Sequence, residues 1–578
     1  MKTKRIAIIL IIYVMNTLFA CQPTDEHLPT PFVDTNTEYT PTFETNAEPV
    51  IIVEQTETIV DEYNPSEGPF NICAPKAEEL PRSIGSKLSE ALKQNPLVMT
   101  DEACASLKVG NENKVGEMVL ALVAPFPTIV DGISTDSLQS FWQNGTTDSF
   151  DRLLMYPYAK NALRWLWGEP VGQVDVFDYA FESWSEAQLE VMMKEAWTNR
   201  RTWAIVEFNE LSPRWKVIAL DEQNPVHKVF NATDYALTLP LSINHDDPQM
   251  QSALNYFFEE MGYINNRNQN KLATVILTGV TALARATAVG MDKRGVTVPG
   301  EDLAPVLQEA DILHISNEVP FYEDCPKPTV EFHLNFCSSP SYIELLRSIG
   351  TDVVELTGDH FNDYGPEAMA LTLEMYEKEG WPVYGGGKNV AAAREPLRME
   401  VNGNKIAFLG CNAKPVNKVH ATETQAGAFL CDMDYMEQTV KQLLQEGYLP
   451  IVTFQHEEFY TWEPIAWLTR DFEKVLEAGA VIVSGSQAHQ PHYAEFLHGG
   501  FVHYGLGNLF FDQYGVYEYS HLSFIDRHVF YEGRHISTEL LTIRFYDWVK
   551  PVWTTPEQRA EMLKMLFNTP RMNWKDTQ

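Results

Sequence analysis

Four short segments of this 578-residue chain carry side chains able to bind a divalent metal: Glu318 in HISNEVPF, Asp359, His360 and Asp363 in TGDHFNDYG, His456 and Glu458 in TFQHEEFY, and His489 and His492 in SGSQAHQPH. Each follows an apolar run that reads as a buried strand. Side chains just past the C-terminal ends of neighbouring strands converge on one edge of a sheet, so groups distant in sequence can meet there. His456 and Glu458 lie two apart, and therefore on one face of an extended segment. A mixed imidazole and carboxylate set suits zinc, manganese or iron better than calcium or magnesium. The chemistry within its reach is metal-assisted hydrolysis or group transfer. For any one of these histidines taken alone, the commoner state is a hydrogen-bonded loop residue.

The elements that must position these groups alternate strand and helix. From residue 265 to 550 the segments LATVILTGVTALAR, ADILHISNEVPF, GPEAMALTLEMYEKEG, NKIAFLGCN, YMEQTVKQLLQEG and DFEKVLEAGAVIVSG repeat a strand–loop–helix rhythm. Residues 71–264 hold a second pattern of mixed type. GEMVLALVAPFPTIVDG reads as a strand entering a loop, TWAIVEFNEL and RWKVIALD as strands, and DDPQMQSALNYFFEEMGY as a capped helix. The polar stretch NNRNQNK, residues 265–271, separates the two. The expected class is α/β, with domains at 71–264 and 265–550 and a C-terminal extension at 551–578.

The net charge is −36, from 43 Lys+Arg against 79 Asp+Glu. That charge repels phosphate backbones, so nucleic acid is excluded as a partner. Mean hydropathy is −0.23, and one apolar run, Ile6–Phe19, follows Lys2, Lys4 and Arg5. A basic start, a short apolar stretch and Ala20 before Cys21 form a secretory signal, residues 1–21. Its end resembles a bacterial lipobox, which implies lipidation of Cys21, membrane anchoring and an extracytoplasmic location. Residues 22–70 are acidic, rich in Thr and Pro and free of Lys and Arg, the composition of a disordered tether. The remaining six cysteines are an even number in an exported chain. Sequence order suggests the pairs Cys73–Cys104, Cys325–Cys337 and Cys411–Cys431.

The C-terminal 280 or so residues resemble the CapA family of bacterial poly-γ-glutamate and capsule synthesis proteins. The resemblance rests on GDHFNDYGPEAMALTLEMYEKEG, on VLEAGAVIVSGSQAHQPH and on GGFVHYGLGNLFFDQ. It implies a metallophosphatase-like four-layer α/β/β/α sandwich. Departures from the family pattern are equally clear. Val280 stands where the family has a bridging Asp, Asp359 stands beside His360 in place of an Asn, and Glu458 lies closer to His456 than usual. The segment LVAPFPTIVDGISTDSLQSFWQNG resembles the first strand and helix of type II periplasmic solute-binding proteins. The resemblance implies a surface-anchored lipoprotein acting in synthesis, retention or release of a capsule or similar polyanion. If it is an enzyme, Glu318, Asp359, His360, His456 and His489 hold the metal, Asp363 orients His360, and Glu458 or His492 moves the proton. The rival is a non-catalytic envelope protein that binds an extracellular polymer or small anion on a degenerate scaffold. The missing carboxylate at Val280 favours that rival.

Overall fold

The structure, a computed structural model, describes the strands Asn71–Cys73 and Val98–Thr100 and, between residues 106 and 575, all but 178–185, 247, 332, 416–417, 514 and 516. The signal, Cys21, the tether and Cys104 lie outside the described residues, and with Cys104 the expected Cys73–Cys104 pair. Among the described residues no helix is long and apolar enough to cross a membrane.

The first half is built on a seven-stranded mixed sheet. Its central strand, Lys114–Pro125, is buried on both faces over its second half. That explains the unbroken apolar run MVLALVAP, because a strand covered on both sides has no polar face to show. Leu120, Leu122, Trp142, Phe150 and Trp203 form the core around it.

The second half is a sandwich of two sheets. One holds Val383–Tyr384, Val353–Glu355, Ile312–Asn317, Leu272–Leu277, Leu522–Tyr531, Arg534–Phe545 and Pro551–Trp553 in that spatial order. The other holds Leu397–Val401, Asn404–Asn412, Leu449–Gln455, Ile482–Ser484, Gly500–His503 and Ala494–Leu497. Side chains alternate along each strand. Val275 and Leu277 thus meet Phe408 and Ile451 between the sheets. Ile276 faces outward under helices Arg285–Arg294, Ile343–Ser348 and Gly365–Glu379. Leu409 and Val452 face the opposite outer layer, helices Met433–Gln445 and Ala466–Glu477. Four layers result, as the resemblance implied. The strands Ile312–Asn317 and Val353–Glu355 run parallel, as do Asn404–Asn412, Leu449–Gln455 and Ile482–Ser484, which sends their C-terminal loops to one edge.

Two of the expected disulfides are present, Cys325–Cys337 and Cys411–Cys431. The segment after 550 is integral to the fold. Pro551–Trp553 adds a strand, and Met562, Leu563 and Leu566 of helix Pro556–Phe567 enter the inter-sheet core beside Phe126.

The described residues fall in one compact unit, 63–578. Within it the polar 265–271 stretch carries a buried anchor. Asn266 accepts from the Val119 N–H at 2.8 Å and donates to the Val119 carbonyl at 2.9 Å, pairing its amide with the strand as another strand would. Asn266→Ala leaves both main-chain groups unpaired in the interior. We expect a loss of about 2 kcal/mol in denaturant unfolding; a change under about 0.5 kcal/mol would show that the amide adds nothing.

Candidate metal centre

Glu318 leaves the end of Ile312–Asn317 with its backbone N–H bonded to the Thr281 carbonyl at 2.9 Å, and its side chain is buried. The loop carrying Asp359 and His360 passes directly over it. A Cβ at Gly358 would lie 2.6 Å from the Glu318 Cα, so this crossing requires glycine. Glu318, Asp359 and His360 each offer a ligand atom within 4.8 Å of the others. One Glu318 oxygen, Oε2, is buried with no hydrogen-bond partner. Burial pushes the Glu318 carboxyl well above the usual carboxylate range, and the neighbouring Asp359 and Glu458 push the same way against His360.

Asp363 holds His360 in place. The His360 Nδ1–H donates to Asp363 Oδ2 at 2.6 Å, which leaves Nε2 for a ligand. The same carboxylate oxygen accepts the Phe336 N–H at 2.9 Å, and the Phe336 ring lies 4.2 Å from the imidazole. The Cys325–Cys337 loop is thereby tied to the His360 ring. Burial disfavours the imidazolium, but Asp363, Glu318 and Asp359 outweigh it and raise His360 to about 9. Burial likewise opposes the charge on Asp359, yet Lys414 and His360 hold it at about 2.

The remaining groups divide. Glu458 Oε2 stands 3.7 Å from His489 Nε2, and His489 Nδ1 is fixed by Asn508 Oδ1 at 2.9 Å. Lys414 Nζ joins Glu458 Oε1, at 2.9 Å, to Asp359 Oδ2, while Gln455 donates to Asp359 Oδ1 at 3.1 Å. His456 is not brought to this cluster. Its Nε2 meets Asp471 Oδ2 at 3.3 Å and its ring packs on Trp467, under helix Ala466–Glu477. The two-residue spacing to Glu458 fails as a guide because the strand ends at Gln455, so its alternation stops before His456. His492 is also elsewhere. It is buried, stacked on Phe459 at 3.9 Å and bonded through Nδ1 to the Thr461 carbonyl at 2.7 Å, and burial pushes it down to about 3. Enclosed in this way, it lies against the loop of Phe459 and Thr461 and outside the Glu318–Asp359–His360 set. Val280 is fully buried with Val319, Phe336 and Phe511, an apolar floor where a bridging carboxylate was expected.

Lys414 and Gln455 were missed from sequence. Both stand at or just beyond strand ends, Asn404–Asn412 and Leu449–Gln455, where the same positional argument applies. A Lys carries no metal-ligand signal, so nothing drew attention to it.

A cleft of about 440 Å³ lies under the disulfide-closed loop, lined by Arg285, Lys327, His333, Tyr342 and Tyr364. Arg285 donates to Asp512 through Nε at 2.9 Å, and its guanidinium sits 5.0 and 4.7 Å from the Phe336 and Phe511 rings. Its φ of 45° is uncommon for a side-chain-bearing residue.

Residues 274–513 match the family described as bacterial capsule synthesis protein PGA_cap. The chain is 22% identical over 261 residues to the capsule biosynthesis protein CapA of Bacillus anthracis, covering 44% of this chain and 63% of that one. It is 22% identical over 225 residues to the PGA biosynthesis protein CapA of Bacillus subtilis (strain 168), covering 38% and 59%. The match therefore spans less than two thirds of either relative. Among solved structures, the calcineurin-like phosphoesterase YfkN from Bacillus subtilis is similar at 10% identity, covering 52% of this chain and 98% of that chain with a TM-score of 0.28. An ABC-type phosphate transport receptor from Vibrio cholerae is similar at 12% identity, covering 34% and 99% with a TM-score of 0.25. The CapA resemblance read from the sequence is borne out by the family match and the two relatives.

Proposed function

We propose that this CapA-like chain acts outside the cytoplasm, anchored through a lipid on Cys21, in the synthesis, retention or release of a capsule or other polyanionic polymer. Glu318, Asp359 and His360 hold one divalent transition metal for hydrolysis or transfer. The observation that carries this reading is the buried three-residue donor set with an unpartnered Glu318 oxygen. A carboxylate oxygen left so in the interior is costly unless a cation or proton meets it. Two carboxylates and an imidazole suit zinc, manganese or iron.

When bound, such an ion supplies Lewis acidity toward a carbonyl or phosphoryl oxygen. Asp363 keeps His360 in the tautomer that presents Nε2. Glu458, between Lys414 and His489, is the carboxylate placed to accept a proton. Arg285, ion-paired with Asp512, and Lys327 line the adjacent cleft together with Asp292.

Elemental analysis of protein purified without chelator tests the metal. About one equivalent of zinc, manganese or iron is expected, and a substoichiometric trace of all three overturns it. The second reading is a binding protein that holds polymer on the same cleft or a small anion in its first half. The apolar Val280 floor favours it. It predicts polymer retention without turnover in a metal-replete assay. The anchor has its own check. Cys21→Ala should move the protein from the membrane to the soluble fraction or leave its signal uncut, and intact mass should show acyl chains on Cys21 of the wild type. A mature N-terminus at any other residue would remove the anchor from this scheme.

A further inference from the structure

Lys414 is held by carboxylates beside the Glu318–Asp359–His360 set. Its Nζ contacts Asp359 Oδ2 and stands 2.9 Å from Glu458 Oε1. The other Glu458 oxygen faces His489 Nε2 at 3.7 Å. Two carboxylates from separate loops thus hold one ammonium, with His489 against the far oxygen of Glu458, and Asp359 is common to this group and to the Glu318–Asp359–His360 set. The lysine is positioned, not merely nearby. Its backbone N–H donates to Asn412 Oδ1 at 3.0 Å, and Asn412 Nδ2 donates to the Thr357 carbonyl at 2.7 Å, on the loop that carries Asp359. The side chains of Lys414 and Asp359 are 16% and 17% exposed, so the ammonium is shielded from most of the solvent.

We propose that the Lys414 ammonium takes the place of a second divalent ion, so that the centre works with one metal beside one tethered positive charge. The physical case is electrostatic. Two divalent ions about 3.5–4 Å apart need a bridging anion to offset their repulsion. Val280 supplies none. An ammonium carries half the charge, so its repulsion with a neighbouring divalent ion is about half as large at equal distance. It also needs only hydrogen-bond distances, near 2.9 Å, whereas a transition metal needs ligands at about 2.0–2.2 Å. The Glu458 oxygen stands at the former spacing from Nζ. Lys414 therefore offsets the charge of Asp359 and Glu458, keeps Asp359 aimed at the first ion, and places a proton donor beside it.

This proposal rests on the metal reading above, and one experiment separates the two. Wild type, Lys414→Met and Lys414→Met with Glu458→Gln are loaded with Mn²⁺ or Zn²⁺, desalted and assayed for metal per chain, with circular dichroism to confirm folding. Lys414→Gln is the second variant should the Met form not fold. The expected result is one ion in wild type, two in Lys414→Met, and one again in the double variant. Two ions in wild type, or one in both wild type and Lys414→Met, overturns the stand-in while leaving the metal reading intact. No ion in wild type but one in Lys414→Met, located by anomalous scattering among Asp359, Glu458 and His489, sinks the metal reading and keeps the stand-in. No ion in either overturns both.

Discussion

Glu318→Gln is expected to leave the metal-free protein folded and to remove about two thirds or more of its stabilisation by zinc or manganese. Burial pushes the Glu318 carboxyl well above its usual range, so the metal-free centre disfavours its charged form. Gln is neutral and has nearly the same shape, and the metal-free melting temperature should move by only a few degrees, equivalent to under about 1 kcal/mol. An ion that binds the folded state alone adds about 4 kcal/mol at a thousand times its Kd. Losing one anionic ligand should weaken binding by about 100-fold or more, since the change removes a direct contact and not only a supporting partner. Differential scanning fluorimetry with and without metal reads both quantities. A variant that keeps the full metal-induced shift would show that Glu318 is not a ligand. The pH dependence follows from His360. Raised to about 9 by Asp363, Glu318 and Asp359 against the effect of burial, it must lose a proton when metal binds. Metal affinity should therefore fall as pH drops below about 9. In the metal-free protein the same group contributes stability that is complete below its unfolded value, about 6.5, and is lost as pH rises through about 9.

Glu539 should account for much of the acid sensitivity of the seam between the two halves. It lies on Arg534–Phe545 and accepts from His227 of the first half at 2.9 Å, with Arg527 Nη1 at 3.3 Å. Burial opposes its charge, but His227 and Arg527 prevail and hold it at about 2. A depressed carboxylate contributes stability above its unfolded value, near 4.5, and loses it as pH falls through about 2. Glu539→Gln should cost about 2–3 kcal/mol at pH 7, because Arg527 is buried and loses an anionic partner. The wild type should converge on the variant as pH falls from 4.5 to 2. Urea unfolding at several pH values measures the difference; a constant gap across that window would show that the charge of Glu539 is not the cause.

How far the sequence could be read depended on whether the signal was local. The unbroken apolar run through Val275, Ile276 and Leu277 read as a buried strand, which the structure packs on both faces, and the helices after the strands form the outer layers. The Cys325–Cys337 and Cys411–Cys431 pairs followed from sequence order, since a disulfide between cysteines 12 or 20 residues apart closes a short loop. His360 and Asp363, three residues apart in one loop, are bonded at 2.6 Å, a contact within reach of local geometry. Asn266 was less legible. A polar stretch looks the same from sequence whether its amides face water or pair with a buried strand, and Val119 lies 147 residues away.

What the sequence by itself determined was the α/β class, the strand–loop–helix order, and therefore the sheet edge on which Glu318, Asp359 and His360 meet. These follow from periodicity and from the chirality of strand–helix connections, which act over a few tens of residues. The tertiary structure alone decided which neighbouring side chains turn into the centre. His456 and Glu458 belong to one short segment, yet one points to Asp471 under a helix and the other to Lys414 and His489. His492 resembles His489 in sequence but is sealed beneath Phe459. The physical reason is that a loop past a strand end has no fixed period. Its side chains go where the two sheets leave room and where a partner offsets the cost of burying a charge, and both are set by residues far away along the chain.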